Sequence, residues 1–194
     1  MGKKNYRNTK GKIVSAAWKL FYEQGYDNTT IEEIVDLSGT SKGSFYHYFD
    51  GKDALLGSLA YLFDEKYEEL AEEIDDKQNS LELLFYLNRE LFGMIENSID
   101  IDLLTRLLST QLTTKGNKEL LDRNRMYFKI LRKIATDGQA KGEITDSVSS
   151  NEIVRLYALC ERALLYDWCL RKGEYPLTEY SQKVLKVFLE GFKK

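Results

Sequence analysis

Apolar residues recur along nearly the whole chain at the three- and four-residue spacing that one face of a helix requires, and strand-like alternation is scarce. Ile13, Ala16, Ala17, Leu20 and Phe21 place the first helix at Thr9–Gln24, with Gly25 as its stop. Thr30 followed three residues later by Glu33 forms a capping box ahead of Ile31, Ile34 and Val35. Ser38-Gly39 ends that second helix. Ser41 caps a third, Ser41–Phe49, whose Phe45 and Phe49 lie four apart and face inward. Asp50-Gly51 breaks the chain again.

Longer helices follow. The pattern predicts them at Lys52–Asp75, Ser80–Asn97, Ile101–Leu112 and Asn117–Lys141. Another runs from a Ser149/Glu152 capping box to Lys172, and the last from Pro176 to Phe192. The expected fold is therefore all-α with nine helices. Three short ones make a helix-turn-helix head over residues 1–51, and the rest make a helical bundle over 52–194. With no low-complexity linker, the fourth helix is expected to join the two parts rigidly.

Composition narrows the class. The 194 residues are 43% hydrophobic and 30% charged, with one proline, which suits a globular protein with a real core. No apolar run approaches the ~18 residues of a membrane span. The basic start MGKKNYRNTK lacks the apolar stretch of a signal peptide, so a cytoplasmic location is expected. Net charge is −3 but unevenly spread. Met1–Tyr22 carries Lys3, Lys4, Arg7, Lys10, Lys12 and Lys19 and no acid, whereas Asp64–Asp76 carries eight acids against Lys66. That distribution suits a protein that touches nucleic acid at one end.

The stretch Thr30–Leu55 carries the chemistry. Its second short helix holds Lys42, Gly43, Ser44, Tyr46 and His47 and no acid before Asp50. Small and basic groups at the start of an acid-free helix suit the DNA major groove. Lys42, the helix's permanent cation, is the best candidate to read a base edge, guanine O6 or N7. Gly43 permits close approach, and Ser44 can bond a base edge or phosphate. Thr30 and Lys52 stand at helix starts, where free amides favour an anion. Ser41 and Thr30 read equally as plain caps. With no Arg, Asn or Gln in the third helix, specificity is expected to lean also on DNA shape. The arm from Lys3 to Lys12 is either a set of phosphate contacts or a solubilising tail.

Thr30, Ile34, Gly39, Ser41, Lys42, Gly43, Ser44, Phe45, Tyr46, Phe49, Lys52 and Leu55 stand in the order and spacing of the TetR/AcrR DNA-binding head, which the chain resembles from about Thr9 to Leu62. It departs from the family pattern at Tyr48, often His, at Thr40, often Val, and at Gly51. The resemblance implies a dimeric one-component regulator, usually a repressor, that a small molecule releases from double-stranded operator DNA. It implies that Tyr46 contacts phosphate, that His47 contacts phosphate or a base, and that Thr30 and Lys52 hold phosphates.

It also implies a ligand cavity among helices four to eight, for which Phe85, Phe92, Met94, Leu107, Met126 and Tyr127 are candidate walls. Tyr157 and Trp168 could stack on a planar ligand, and Arg106 and Glu161 are candidate polar anchors. These residues read equally as ordinary core. An apolar or aromatic effector is expected. The stripes Ile153, Leu156, Cys160 and Leu164 on the eighth helix and Tyr180, Val184, Val187 and Phe188 on the ninth exceed what one small core needs. By resemblance they form a homodimer interface.

Two alternatives fit the same residues: an activator of the same fold, and a regulator that answers to a protein partner. Enzymatic function is not expected. The one histidine lies in the head, and no metal-ligand cluster, phosphate loop or nucleophile elbow occurs. No cofactor or metal is expected. Cys160 and Cys169, nine residues apart on one helix, are ~13 Å apart and too far for a disulfide. They read as core or interface thiols, or as redox sensors.

Overall fold

A computed structural model describes residues 9–75, 77–113 and 118–194. Lys3, Lys4 and Arg7 of the basic arm, and Asn117 at the expected start of the seventh helix, lie outside the described residues. Among the described residues there are nine α-helices and two short 3-10 segments. The head comprises α1 (Thr9–Gln24), α2 (Ile31–Ser38) and α3 (Lys42–Tyr48). Its core is Ile13, Ala17, Phe21, Ile34, Phe45 and Phe49, joined by Leu55 and Leu56 from beyond the head and by Leu103 from the bundle.

Local chemistry sets the boundaries of the head. Thr30 and Glu33 form the expected reciprocal box at the start of α2. Gly39 ends α2 in the left-handed region at φ +62°, which a side chain would resist. Ser41 caps α3 by accepting the Ser44 amide at 3.0 Å.

The body holds α4 (Leu59–Glu73), α5 (Ser80–Ser98), α6 (Ile101–Thr113), α7 (Met126–Lys141), α8 (Ser150–Leu170) and α9 (Leu177–Glu190). The helix α5 lies along α9, α7 along α8, and α4 packs on α5 and α7. A Cβ at Gly138 of α7 would lie 2.6 Å from the Ile144 side chain and 2.8 Å from Ser80 Cβ, so glycine permits this contact with α5.

Two expected helices are shorter than the pattern predicts. Residues Lys52–Ser58 form a 3-10 segment, and the α-helix starts only at Leu59. Gly57 is a poor helix former, and the Ser58 hydroxyl donates back to the Leu55 carbonyl while accepting the Trp18 indole N–H at 2.8 Å. These bonds hold the tighter winding. The seventh helix begins at Met126, not near Asn117, because Arg125 is held extended (φ −59°, ψ 148°) by its side-chain partners. Its guanidinium donates to both oxygens of Asp64 at 3.1 and 3.0 Å and to the Ala60 carbonyl at 3.1 Å.

Candidate nucleic-acid interface and effector core

Phe45 and Phe49 anchor α3 in the head, which turns the opposite face to solvent. Lys42, Gly43, Tyr46, His47 and Tyr48 are all exposed on it. Ser44 is half-buried, and its hydroxyl lies 3.0 Å from that of Ser41. Lys42 pairs with Glu32 of α2 across the surface. That hydrogen bond holds the ammonium more firmly protonated than usual and holds the Glu32 carboxyl below its ordinary range. Both groups are well solvated, so the pair is weak and easily exchanged.

Thr30 and Lys52 sit differently. The Thr30 hydroxyl donates to Glu33 at 2.8 Å and accepts its amide at 3.3 Å, so its side chain is occupied by the cap. The Lys52 ammonium points back into the head, bonding the carbonyls of Tyr26 at 2.6 Å and Thr29 at 2.8 Å and lying 4.4 Å from the centre of the Tyr26 ring. It braces the turn between α1 and α2, and Tyr26 in turn donates to Asp53.

In the body a buried polar chain crosses the apolar interior. Glu161 of α8, 4% exposed, accepts from Asn88 of α5 at 2.9 Å and from the Tyr127 hydroxyl of α7 at 2.8 Å. Asn88 accepts from Ser181 at 2.8 Å and Gln182 at 2.9 Å on α9. Tyr157 donates to the Leu84 carbonyl at 2.8 Å. The Tyr67 hydroxyl of α4 is buried with no hydrogen-bond partner among the described residues. Burial pushes Glu161 above its ordinary value, against the opposing hydrogen bonds from Asn88 and Tyr127. Burial and the nearby Glu161 charge raise all three tyrosines.

Of the candidate effector residues, Tyr127, Tyr157 and Glu161 thus come together. Phe92, Leu107 and Trp168 are buried in the same core, with Phe85, Met94 and Met126 half-buried at its edge. The Trp168 indole is held by the Tyr175 carbonyl at 2.9 Å. Arg106 belongs elsewhere: its guanidinium pairs with Asp27 at 2.7 Å and covers the Tyr26 ring. It ties α6 to the head instead of anchoring anything in the core. Sequence reasoning missed Tyr67, Asn88 and Ser181. The sole signal was a polar residue at an apolar helical position, as in Leu87-Asn88.

The expected interface stripe of α8 is divided between two faces. Ile153 and Leu164 are buried in their own subunit, because that face of α8 packs on the bundle. Leu156 and Cys160 are half-buried, and the exposed stripe continues through Leu159, Tyr166 and Leu170. On α9, Tyr180 and Val187 are exposed, Val187 at 79%, with Val184 and Phe188 half-buried beside them. Burial pushes the Cys160 thiol up to about 11 and raises Cys169 also, away from the lowered range of reactive cysteines. No described helix is long and apolar enough to cross a membrane.

Comparison with known proteins gives a consistent picture. Residues 13–59 match the family model for bacterial regulatory proteins of the tetR family, and residues 63–191 match the C-terminal region of YsiA-like proteins. The fatty acid metabolism regulator protein of Bacillus subtilis (strain 168) is 24% identical over 184 residues, 93% of each chain. The transcriptional regulator QacR of Staphylococcus aureus (strain Mu50 / ATCC 700699) is 30% identical over 142 residues, 70% of this chain and 73% of its own. Among solved structures, Bacillus subtilis FadR in complex with stearoyl-CoA superposes with a TM-score of 0.69 at 23% identity, covering 93% of this chain and 98% of that one. Thermus thermophilus FadR in complex with lauroyl-CoA gives 0.70 at 23% identity, covering 95% and 94%. These two structures share the fold of the chain.

Proposed function

The chain belongs to the tetR family of bacterial regulatory proteins and is a DNA-binding transcriptional regulator, and from that premise we propose that it is a cytoplasmic, dimeric repressor released from its operator by a long-chain acyl thioester. The observation that carries the effector class is the alignment with a fatty acid metabolism regulator over 93% of both chains. The body supports it. Its interior is mainly aliphatic, and the Tyr67 hydroxyl is a buried donor with no acceptor among the described residues. Such a group is costly to leave unmade, and a ligand carbonyl entering the bundle would satisfy it.

In this reading residues 1–51 contact DNA, and residues 52–194 bind effector and partner subunit. Lys42 reads a base after exchanging Glu32 for DNA. Gly43 admits the backbone closely, and Ser41, Ser44, Tyr46 and His47 contact phosphate or base edges. Thr30, whose amide and hydroxyl are both engaged by Glu33, and Lys52, held by the Tyr26 and Thr29 carbonyls, brace the elements that carry this surface. The stripes on α8 and α9 meet across a two-fold axis, so the half-sites lie one or more turns of ~34–36 Å apart. A bound effector must favour one head spacing over another, since only a difference in affinity moves the equilibrium.

The test is fluorescence anisotropy on labelled DNA from upstream of the protein's own gene. Stearoyl-CoA should lower operator affinity by roughly 5–150-fold, and operator should weaken stearoyl-CoA binding by the same factor. Equal binding of stearoyl-CoA to free and DNA-bound protein refutes release by this effector. Leu159→Asp with Val187→Asp should yield a monomer by sedimentation, because carboxylates would be buried unpaired at the seam. Unchanged dimers would refute that interface.

A further inference from the structure

The first turn of α2 holds two carboxylates with different partners, Glu32 and Glu33. Glu33 is occupied by the cap: it accepts the Thr30 amide and hydroxyl, each at 2.8 Å, and the Gln24 amide at 3.1 Å. Glu32 instead reaches across to Lys42 of α3, and the two side chains are 61% and 59% exposed. Asp36, one turn further along α2, also acts electrostatically on Lys42. An acid beside a DNA-reading lysine is unfavourable in general, because phosphates repel it and the DNA backbone offers it no hydrogen-bond donor. The donors in the major groove are the exocyclic amines of cytosine and adenine. The hydrogen bond from Lys42 holds the Glu32 carboxyl below its ordinary range, so at neutral pH it can only accept.

We infer that Glu32 is a second base reader, accepting the groove-facing hydrogen of a cytosine N4 amine while Lys42 takes O6 and N7 of the guanine paired with it. The inference rests on the base-reading role of Lys42. The fit is between two hydrogen-bonded pairs. In the free protein an ammonium donates to a carboxylate. In a G·C pair the cytosine amine donates to guanine O6 at about 2.9 Å. Brought together, protein and base pair exchange partners without opening the base pair. The ammonium takes N7 and the second lone pair of O6, and the second amine hydrogen goes to the carboxylate. Glu32 is then not left bare among phosphates when Lys42 leaves it. A reversed pair would set the carboxylate against guanine acceptors and the ammonium against the amine, so orientation is read as well as composition. Two helices thus supply together a reading that α3, without Arg, Asn or Gln, lacks the side chains to make alone.

The experiment uses the full-length protein, with half-sites selected by the wild type from random DNA duplexes. Each cytosine of the selected site is replaced in turn by N4-methylcytosine, which keeps the Watson–Crick bond and puts a methyl in place of the groove-facing amine hydrogen. Affinity is measured by anisotropy for wild type, Glu32→Ala, Glu32→Gln and Lys42→Ala, with thermal melting to confirm that each variant is folded. Wild type should lose roughly 10–100-fold at one cytosine per half-site, the loss of a hydrogen bond to a charged group. Glu32→Ala should be indifferent to methylation of that cytosine. Glu32→Gln keeps an acceptor, so it should bind the unmodified site more tightly and still discriminate, by a smaller factor. Lys42→Ala should lose its preference for the guanine paired with that cytosine. Equal loss on methylation by wild type and Glu32→Ala, or the absence of a sensitive cytosine, overturns the inference; guanine preference lost in Lys42→Ala would then leave Lys42 standing as the base reader. Uniform weakening of Lys42→Ala on all sequences, with a cytosine still sensed through Glu32, overturns the role of Lys42 and retains Glu32 as a reader.

Discussion

Replacing Arg125 with Met would cut the tie between the start of α7 and the start of α4. The guanidinium makes three hydrogen bonds, two to Asp64 and one to the Ala60 carbonyl. The side chains are only 9% and 20% exposed. Stranding one partner of a fully buried pair costs ~3–5 kcal/mol. Here water reaches Asp64 in part, and the Tyr127 amide still donates to it at 3.3 Å, so the expected loss is about 2–3 kcal/mol. In a chain of this length that corresponds to a melting point lower by roughly 4–12 °C. Adding Asp64→Leu removes the stranded charge, and the double variant should recover most of the loss. Thermal and urea denaturation of wild type, both single variants and the double variant give the full cycle. Because the tie binds α7 to the helix leading to the head, the single variant should also shrink the operator release driven by stearoyl-CoA. A single variant melting within 1 °C (about 0.3 kcal/mol) of wild type, or a double variant no better than the single, would refute the reasoning.

Glu161→Gln should reverse the usual acid response of a carboxylate. Burial raises Glu161 above its ordinary 4.5, so the folded chain holds the proton more tightly than the unfolded one. Wild type therefore gains stability relative to the variant as pH falls from the folded value to 4.5, and is penalised above it. Urea denaturation of both proteins across that window checks the sign, and a wild type that loses ground toward acid would refute it. Gly138→Ala should destabilise by up to ~2 kcal/mol, overpacking of ~1–3 kcal/mol exceeding a helix gain near 1. Gly43→Ala, with nothing nearer than Ser41 Oγ at 3.8 Å, should leave the melting point unchanged or higher while weakening operator binding; a pair of variants that melt alike would contradict the packing argument. Glu32→Gln should strengthen operator binding by freeing Lys42, and Lys42→Ala should relax discrimination by ~1–3 kcal/mol at one base pair. Uniform weakening of Lys42→Ala on all DNA sequences would instead make Lys42 a phosphate contact.

The head was legible because its decisive chemistry is local. Thr30 and Glu33 are three residues apart, and Gly39, Gly142 and Gly173 all take the left-handed conformation that closes a helix. The boundaries that escaped depend on distant partners. Arg125 is held by Asp64, 61 residues earlier, and the winding after Lys52 depends on Trp18, 40 residues before Ser58. Periodicity found the apolar stripes of α8 but not which stripe faces its own bundle, since Ile153 and Leu159 differ in neighbours and not in kind. Helix membership makes Arg106 only a candidate polar anchor, since it does not tell whether the side chain points inward, and the charge of Asp27 draws it to the head. Glu161 was identifiable as a carboxylate on an apolar face. Its partner Asn88 lies 73 residues before it, and Ser181, which donates to Asn88, lies 20 after it on another helix, and no spacing rule links them.

The 3-10 winding of the seven residues Lys52–Ser58 gives the connector a length it can exchange. A 3-10 turn rises ~2.0 Å per residue and an α-turn ~1.5 Å, so rewinding this segment shortens it by about 3.5 Å and rotates what lies beyond by roughly 140°. That travel is close to the ~3.4 Å rise between successive nucleotides of a DNA strand. Leu55 and Leu56 of this segment are seated in the head core and Leu59 just beyond it in the body core, so a rewinding would have to carry one core past the other, and that displacement would put two heads out of step with two grooves.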